Sequence, residues 1–481
     1  MKALLKFTAF TIFYLLTFHS FGQNMSTSSF TGYWKTVGYG FVIEITEENV
    51  QFYDVNKMSC APNLSQSIEE FFTEFEVIES TNSFFTAKGG ITEYDFERID
   101  QLPDVCRSIT KTLQQDPLHN FDALWETFSE QFAYFKERDI DWNRLRTKYR
   151  SQISKKTKPF DLFMTLHTMV EELNDGHSMI GVPEGLEKKY AKYRKRKQKE
   201  RIKELGYRPE PINTNDVRYA NIDLYIDDVK EYLFGNIYWG ITKDNVAIVQ
   251  INGMANLANY NIPSSLSDEE AEIYYAEQAE ASSNYLQDEV NGTRYIMDKI
   301  LEEISGTKAC ILDIRFNGGG FDGVGMEIVK SFAQQEGIAF VKNTRLGEGF
   351  TRPQSIKIQP MAHAYSRPLF LLTSYQSASA AESFSMAMKA LSPDLQIIGS
   401  PTNGIFSDMI EKKLPNGWDY ALSTEVYANT NGVNYEGKGI QPDYAIEYKK
   451  KGYWFYDQIK TETLLHKKDT AIDKVLKLLK Q

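Results

Sequence analysis

From Val246 onward the chain alternates apolar runs of strand length with amphipathic runs of helix length. VAIVQI is followed by a helix over about 292–303, ACILDIR by a helix over 322–333, then IAFV and PLFLLT, a helix over 380–391, and LQIIG. Apolar strands separated by helices specify an α/β layer with mostly parallel strands, because helices on the sheet faces take both sides of each strand out of water. Sites in such layers gather at the C-terminal ends of the strands.

The chain before this alternation reads differently. Between Thr31 and Ile99 the runs TGYWKTV, YGFVIEIT, NVQFYDV, FEVIES, SFFTAK and ITEYDFERI are short and β-favouring, with Gly, Asn and Ser turn signals between them. They predict a small antiparallel β domain. Phe121, Leu124, Trp125, Phe128, Phe132 and Phe135 then recur at helical spacing, as do Phe163, Leu166, Met169, Val170 and Leu173, and both stripes read as core. The second helix stops at Asn174-Asp175-Gly176, and HSMIGV alternates like a strand. From Glu187 to Arg208 Lys and Arg crowd the chain, interrupted by Glu187, Glu200 and Glu204. The whole chain has 54 Lys and Arg against 65 Asp and Glu, a net charge of −11, so this run is expected to be a solvated helix or linker. Nucleic acid, which wants a basic face, is not an expected partner. The acidic stretch Ser267–Glu280 opens with a capping box, Ser267 and Glu270, and is expected to lie on the surface near the basic run.

The first residues, MKALLKFTAFTIFYLLTFHSFGQ, place Lys2 and Lys6 before an apolar run to about Phe18. That pattern is a secretory signal with cleavage expected near Gly22 or Gln23, since the run falls short of the roughly 20 residues a spanning helix needs. The mature protein is expected in the periplasm or outside the cell, without stable membrane insertion. Of three cysteines, Cys60 and Cys106 sit in turn-like sequence within the N-terminal region and are candidates for a disulfide, whereas Cys310 lies in an apolar run and reads as a buried thiol. No CxxC or Cys/His cluster has metal-ligand spacing, and neither metal nor organic cofactor is expected.

Three constellations carry the chemistry. In LFLLTSYQSASAAE, Ser379 falls where a buried strand turns into a helix, near backbone N–H groups and the positive end of a helix dipole. Taken alone, Ser377 or Ser379 serves equally as a helix cap, with Glu382 at the capping-box position. In ACILDIRFNGGG, a strand runs into three glycines that let a substrate oxygen approach backbone N–H groups; an ordinary tight turn is the plain alternative, and GxGxxG and GxxxxGK[ST] are both absent. In Asp175-Gly176-His177-Ser178, a histidine stands between a helix and a strand. Histidine is the usual general base near neutral pH, although a lone one is more often structural. The other histidines, His19, His119, His167, His363 and His466, have poorer settings.

LNDGHS, ILDIRFNGGG, SASAAE and YEGKGIQPDY occur in an order and separation that resembles the tricorn-core and C-terminal-processing (tail-specific) serine peptidases, in particular the tricorn-core-like branch. LWETFSEQFAYFKERDIDWNRL is similar to the helical segment that precedes the histidine motif there, and the resemblance runs from about Asn120 to Asp443. It implies a ClpP/crotonase-like α/β catalytic domain, Ser379 as nucleophile, His177 as general base, Gly319 and Ala380 as oxyanion donors, and Glu436 as the acid beside the histidine, with Asp175 and Asp443 also near by motif. The implied division is a signal over 1–23, a β domain over 24–110, a helical segment over 111–185, a charged region over 186–245, a catalytic domain over 246–450 and a helical tail over 451–481.

One departure bears on mechanism. The processing branch uses a Ser–Lys dyad, and here Ile405 stands at the lysine's place in GSPTNGI. An isoleucine accepts no proton, so serine chemistry needs His177. No PDZ-like β pattern is visible between Val182 and Ile241, where NIDLYI and LFGNIYWGI read as strand fragments. The expected activity is hydrolysis of peptide bonds in polypeptides or oligopeptides through an acyl-enzyme. The rivals are a non-catalytic carrier of hydrophobic ligands on the same fold and a crotonase-like acyl-CoA enzyme.

Overall fold

The computed structural model describes residues 27–205, 213–448 and 453–480. The leader read over 1–23 lies outside them. Val246–Ile251, Ala309–Asp313, Leu369–Thr373 and Gln396–Gly399 pair in parallel in that order, Tyr444–Ala445 extends the parallel set, and the antiparallel strands Ile237–Ile241 and Lys230–Tyr232 complete seven strands. The three central parallel strands are buried at every residue, as continuous apolar runs require. Ala247, Val249, Cys310, Leu312 and Leu371 pack under the helices Tyr285–Ile304, Asp322–Phe332 and Ala380–Leu391. Val246, Ile248, Ile311, Phe370 and Leu372 point the other way, beneath Ile222 of the helix Thr214–Asp223 and Ala471, Ile472 and Val475 of the helix Thr470–Leu478. The C-terminal tail is therefore the second cover of the sheet.

Two expectations change. IAFV does not join the parallel layer; Gly337–Leu346 pairs antiparallel with Gln354–Ile358, Gly349–Phe350 and Glu425–Ala428. Its burial alternates through Phe340, Lys342 and Thr344, the mark of a strand with one covered face. NIDLYI is not a strand either. Its first residues end the helix Thr214–Asp223, where Val217, Asn221 and Ile222 share a buried face.

The N-terminal region is a seven-stranded antiparallel sheet, in the order Cys60–Ser67, Asn49–Val55, Phe41–Ile45, Gly32–Thr36, Thr92–Ile99, Phe84–Gly89 and Glu76–Ser80, around Trp34, Phe85 and Phe96. Cys60 is disulfide-bonded to Cys106, and Cys310 is a buried free thiol. The sheet is tied to the body by the buried pair Lys412–Asp54, 3.2 Å apart, with Asp54 also accepting the Lys413 N–H at 2.7 Å.

The helices Pro117–Gln131, Trp142–Arg150 and Pro159–Glu171 bury Phe121, Leu124, Phe128, Phe163, Leu166 and Met169 together with Tyr420 and Leu422. Those last two belong to a three-stranded sheet of Met409–Lys413, Asp419–Ser423 and Met179–Ile180. The strand that follows His177 is thus pinned to the body within two residues. The basic run forms the helix Glu187–Leu205 and the acidic one the helix Asp268–Ala281, capped by Ser267 and Glu270. Among the described residues no ion pair joins them; Arg196 and Lys197 pair instead with Glu200 of their own helix.

Candidate active site

Ser379 stands between the strand Leu369–Thr373 and the helix Ala380–Leu391 with φ 56° and ψ −127°, a left-handed conformation that costs a non-glycine residue about 1–3 kcal/mol. Its N–H donates to the Ile405 carbonyl at 3.0 Å, and the neighbouring Ala378 N–H donates to the Asn317 carbonyl at 3.2 Å. The hydroxyl makes no cap bond, so the helix-cap reading of Ser379 is not realised. Glu382 is buried and turned elsewhere: it accepts the Thr402 hydroxyl at 2.6 Å and the N–H groups of Gly404 and Ile405, each at 2.7 Å. Burial pushes its carboxyl up to about 7 against those three donors and the backbone N–H of Ser379. Ser377, the other candidate, donates to the Ile314 carbonyl and is fully buried.

The glycine run meets the serine directly. A Cβ on Gly319 would lie 2.6 Å from Ser379 Cβ and 2.8 Å from the Ala378 carbonyl oxygen, and φ here is 105°, so only glycine fits. The Ala380 N–H has no acceptor among the described residues, as an oxyanion donor requires. The Gly319 N–H, expected as the second oxyanion donor, is given to Asn317 Oδ1 at 2.8 Å, because the tight turn brings that amide back over its own loop. The Asn317 amide nitrogen donates in turn to the Ile251 carbonyl at 3.1 Å.

The loop that carries His177 packs against the loop that holds Ser379. A Cβ on Gly176, the residue before it, would lie 2.5 Å from Ile405 Cδ1, the isoleucine whose carbonyl holds Ser379. The His177 N–H donates to Asp175 Oδ1 at 3.2 Å, while Asp175 Oδ2 accepts the Ser178 hydroxyl at 2.6 Å. The ring's Nδ1 is buried without a partner. Glu436, expected as the acid of the charge network around the histidine, has both of its oxygens engaged by other groups: Oε1 by Arg138 and Oε2 by the Phe406 N–H at 2.8 Å. Burial pushes the Glu436 carboxyl up to about 8, with the Phe406 N–H and Arg138 opposing. Asp443 accepts the Ile397 N–H at 2.8 Å, at the edge of the parallel sheet.

Residues that sequence reasoning passed over surround this centre. Lys342 Nζ is buried and lies 2.9 Å from Glu425, 3.2 Å from Asp408 and 3.2 Å from the Tyr427 hydroxyl. Tyr39 from the N-terminal sheet donates to Glu425 at 2.6 Å, and Tyr427 to Asp322 at 2.8 Å. Burial pushes Glu425 up to about 7 and Asp322 up to about 6. Desolvation raises the Asp408 carboxyl too, but Lys342 beside it draws it below its ordinary value. The alternation of Lys342 with Phe340 and Thr344 was the available signal for this cluster. Arg138, in FKERDID, had none, since its charge looks like any surface charge.

Residues 246–446 match the model of peptidase family S41, and residues 113–171 match the tricorn protease C1 domain. A carboxyl-terminal-processing protease of Picosynechococcus sp. is 28% identical over 150 residues, which is 31% of this chain and 34% of that protein, so the match spans about a third of the relative's length. A solved structure from Parabacteroides merdae, described as a candidate peptidase, shares the fold with a TM-score of 0.53 and 20% identity over 76% of this chain and 96% of that one. The photosystem II D1 C-terminal processing protease is similar at a TM-score of 0.43 and 13% identity, covering 74% of this chain and 99% of that one. No helix among the described residues is long and apolar enough to cross a membrane.

Proposed function

From the premise that this chain is a relative of the S41 peptidases, joining an S41 domain to a tricorn C1 segment, we propose that it is an exported serine peptidase cleaving peptide bonds in polypeptides or oligopeptides through an acyl-enzyme on Ser379. The observation that carries this reading is the strained, uncapped Ser379 beside an unengaged Ala380 N–H. A serine that capped its helix would have no reason for positive φ; one that must present its hydroxyl at a strand-to-helix turn does.

Ser379 Oγ attacks the peptide carbonyl as its proton passes to the His177 ring, and the carbonyl oxygen becomes an oxyanion. The Ala380 N–H receives that oxygen, joined by the Gly319 N–H as it leaves Asn317 Oδ1. The C–N bond breaks when His177 returns the proton to the leaving amine, and water repeats the sequence to release the acid. Glu436 acts on His177 through the loops it braces. Ile405 leaves no dyad lysine, and Lys342 is held as a cation among Glu425 and Asp408, unfit as a base. Export follows from the leader over 1–23, which suits a chain with a disulfide.

The test is intact-mass labelling with a fluorophosphonate, using wild type, Ser379→Ala and His177→Ala. One adduct in wild type, absent from Ser379→Ala and slowed by several orders of magnitude in His177→Ala, is expected. A folded wild type that takes no adduct while a control serine peptidase does would turn attention to hydrophobic-ligand binding.

A further inference from the structure

Arg138 lies beyond the helix Pro117–Gln131, within the segment that leads to the histidine motif. Its side chain is only 7% exposed. Through Nη1 it donates to the Asn174 carbonyl, and through Nη2 to Glu436 Oε1, with Asp175 Oδ1 at 3.6 Å. Both carboxylates are fully buried.

The two groups it joins serve different halves of the centre. Asn174 and Asp175 open the loop of His177, whose N–H rests on Asp175. Glu436 reaches across 298 positions of sequence and accepts the Phe406 N–H, next to Ile405, whose carbonyl receives the Ser379 N–H. Gly437 reinforces the same loop by donating to the Gly404 carbonyl at 2.8 Å. One guanidinium therefore stands between the histidine loop and the loop that fixes the serine. Its fork suits the task, because a neutral carbonyl and a carboxylate are met at once from fixed directions, which a lysine's single ammonium does not reproduce.

We infer that Arg138 is a positioning residue that sets His177 against Ser379 by clamping Asn174 and Asp175 to Glu436. This rests on the reading of Ser379 and His177 as the catalytic pair. The alternative is a buried ion pair that only holds the fold together, since removing one partner of such a pair destabilises any protein. The two differ in what happens to molecules that remain folded: a structural pair affects how many there are, whereas a positioning residue affects how fast each one reacts.

The experiment measures fluorophosphonate labelling rates per folded molecule, with kcat and KM where a peptide substrate is found, for wild type, Arg138→Ala, Arg138→Lys and Glu436→Gln. Arg150→Ala serves as control, since Arg150 pairs with Asp122 on the helical segment away from the centre. Near-UV circular dichroism sets the folded fraction. Arg138→Ala is expected to label about 10²-fold more slowly, the order that an ångström of misplacement costs, with the loss in kcat rather than KM. Arg138→Lys and Glu436→Gln should fall between it and wild type, and Arg150→Ala should match wild type. Guanidinium ion in the tens of millimolar, against sodium chloride at equal strength, should restore part of the Arg138→Ala rate. Folded Arg138→Ala or, should it not fold, folded Arg138→Lys and Glu436→Gln all labelling within about twofold of wild type would overturn the inference, leaving the Ser379 reading intact. Restoration of thermal stability by guanidinium without restoration of rate would overturn it as well. A wild type that takes no label would remove the Ser379 reading and this inference with it.

Discussion

The Ser379 N–H donates to the Ile405 carbonyl at 3.0 Å, and the side chain of the same isoleucine fills the space in front of Gly176, one residue before His177. The position at which the resembled processing peptidases carry a lysine here holds the packing joint between the loop of Ser379 and the loop of His177.

Gly319→Ala should slow reactivity sharply while leaving a folded protein. The added Cβ would meet Ser379 Cβ and the Ala378 carbonyl, backbone-anchored atoms that have no slack, at a residue whose φ of 105° disfavours any side chain. A fall in labelling rate of about 10²–10³-fold is expected, the order lost with an oxyanion donor. Mass spectrometry of timed samples reads it.

Lys342→Met should be among the most destabilising single changes in the molecule. It would strand Glu425 and Asp408 without their cation, a loss of about 3–5 kcal/mol. Tyr39→Phe removes only the hydroxyl bonded to Glu425 and should cost about 1.5–3 kcal/mol. Urea unfolding midpoints at one pH compare the two, and the reverse ranking would contradict this account of the cluster.

Stability should decline from pH 5 to pH 9. Glu382 is raised from 4.5 to about 7 and Glu436 to about 8, both chiefly by burial. A carboxyl raised in the folded state binds its proton more tightly there than in the unfolded chain. Its contribution is therefore fully present below the unfolded value and is lost as pH rises through the folded one. For Glu382 alone this amounts to about 3 kcal/mol. Glu382→Gln should flatten the slope of unfolding free energy against pH between about 4.5 and 7, whatever it does to stability at any single pH.

Reduction of the Cys60–Cys106 bond, which spans 46 residues, should lower stability by about 2–4 kcal/mol through the freedom it returns to the unfolded chain. Cys60→Ser with Cys106→Ser should reproduce the effect of dithiothreitol on the melting temperature. Labelling at Ser379 should be unchanged per folded molecule, because neither cysteine touches the centre.

What could be read from sequence here follows from the range of the forces involved. The strands Val246–Ile251, Ala309–Asp313 and Leu369–Thr373 declare themselves because burial on both faces leaves continuous apolar runs, and Ser379, Gly319 and His177 because the roles proposed for them need local punctuation. Gly337–Leu346 was misplaced because four apolar letters, IAFV, fit either kind of sheet, and only the inward Lys342 distinguishes them. Arg138 and Glu436 meet across most of the molecule, and no local pattern encodes a contact between loops that far apart. Glu436 was found as an acid near the centre, but whether a carboxylate faces a ring or an arginine is settled by tertiary packing.

Asp54 and Tyr39 give the N-terminal sheet a role beyond shelter. Lys412 and Lys342 sit in the body, yet each takes a polar partner from the sheet: Asp54 for the first, and for the second the Thr92 hydroxyl, beside a Glu425 held by Tyr39. A fragment beginning near residue 111 would keep every group assigned to chemistry and still expose an ammonium at Lys412 with no counter-charge. For anyone trimming or recombining this protein, the sheet is not a detachable module: a replacement would have to bring an acid to the place of Asp54 and hydroxyls to those of Thr92 and Tyr39, or the recipient would need both lysines changed first.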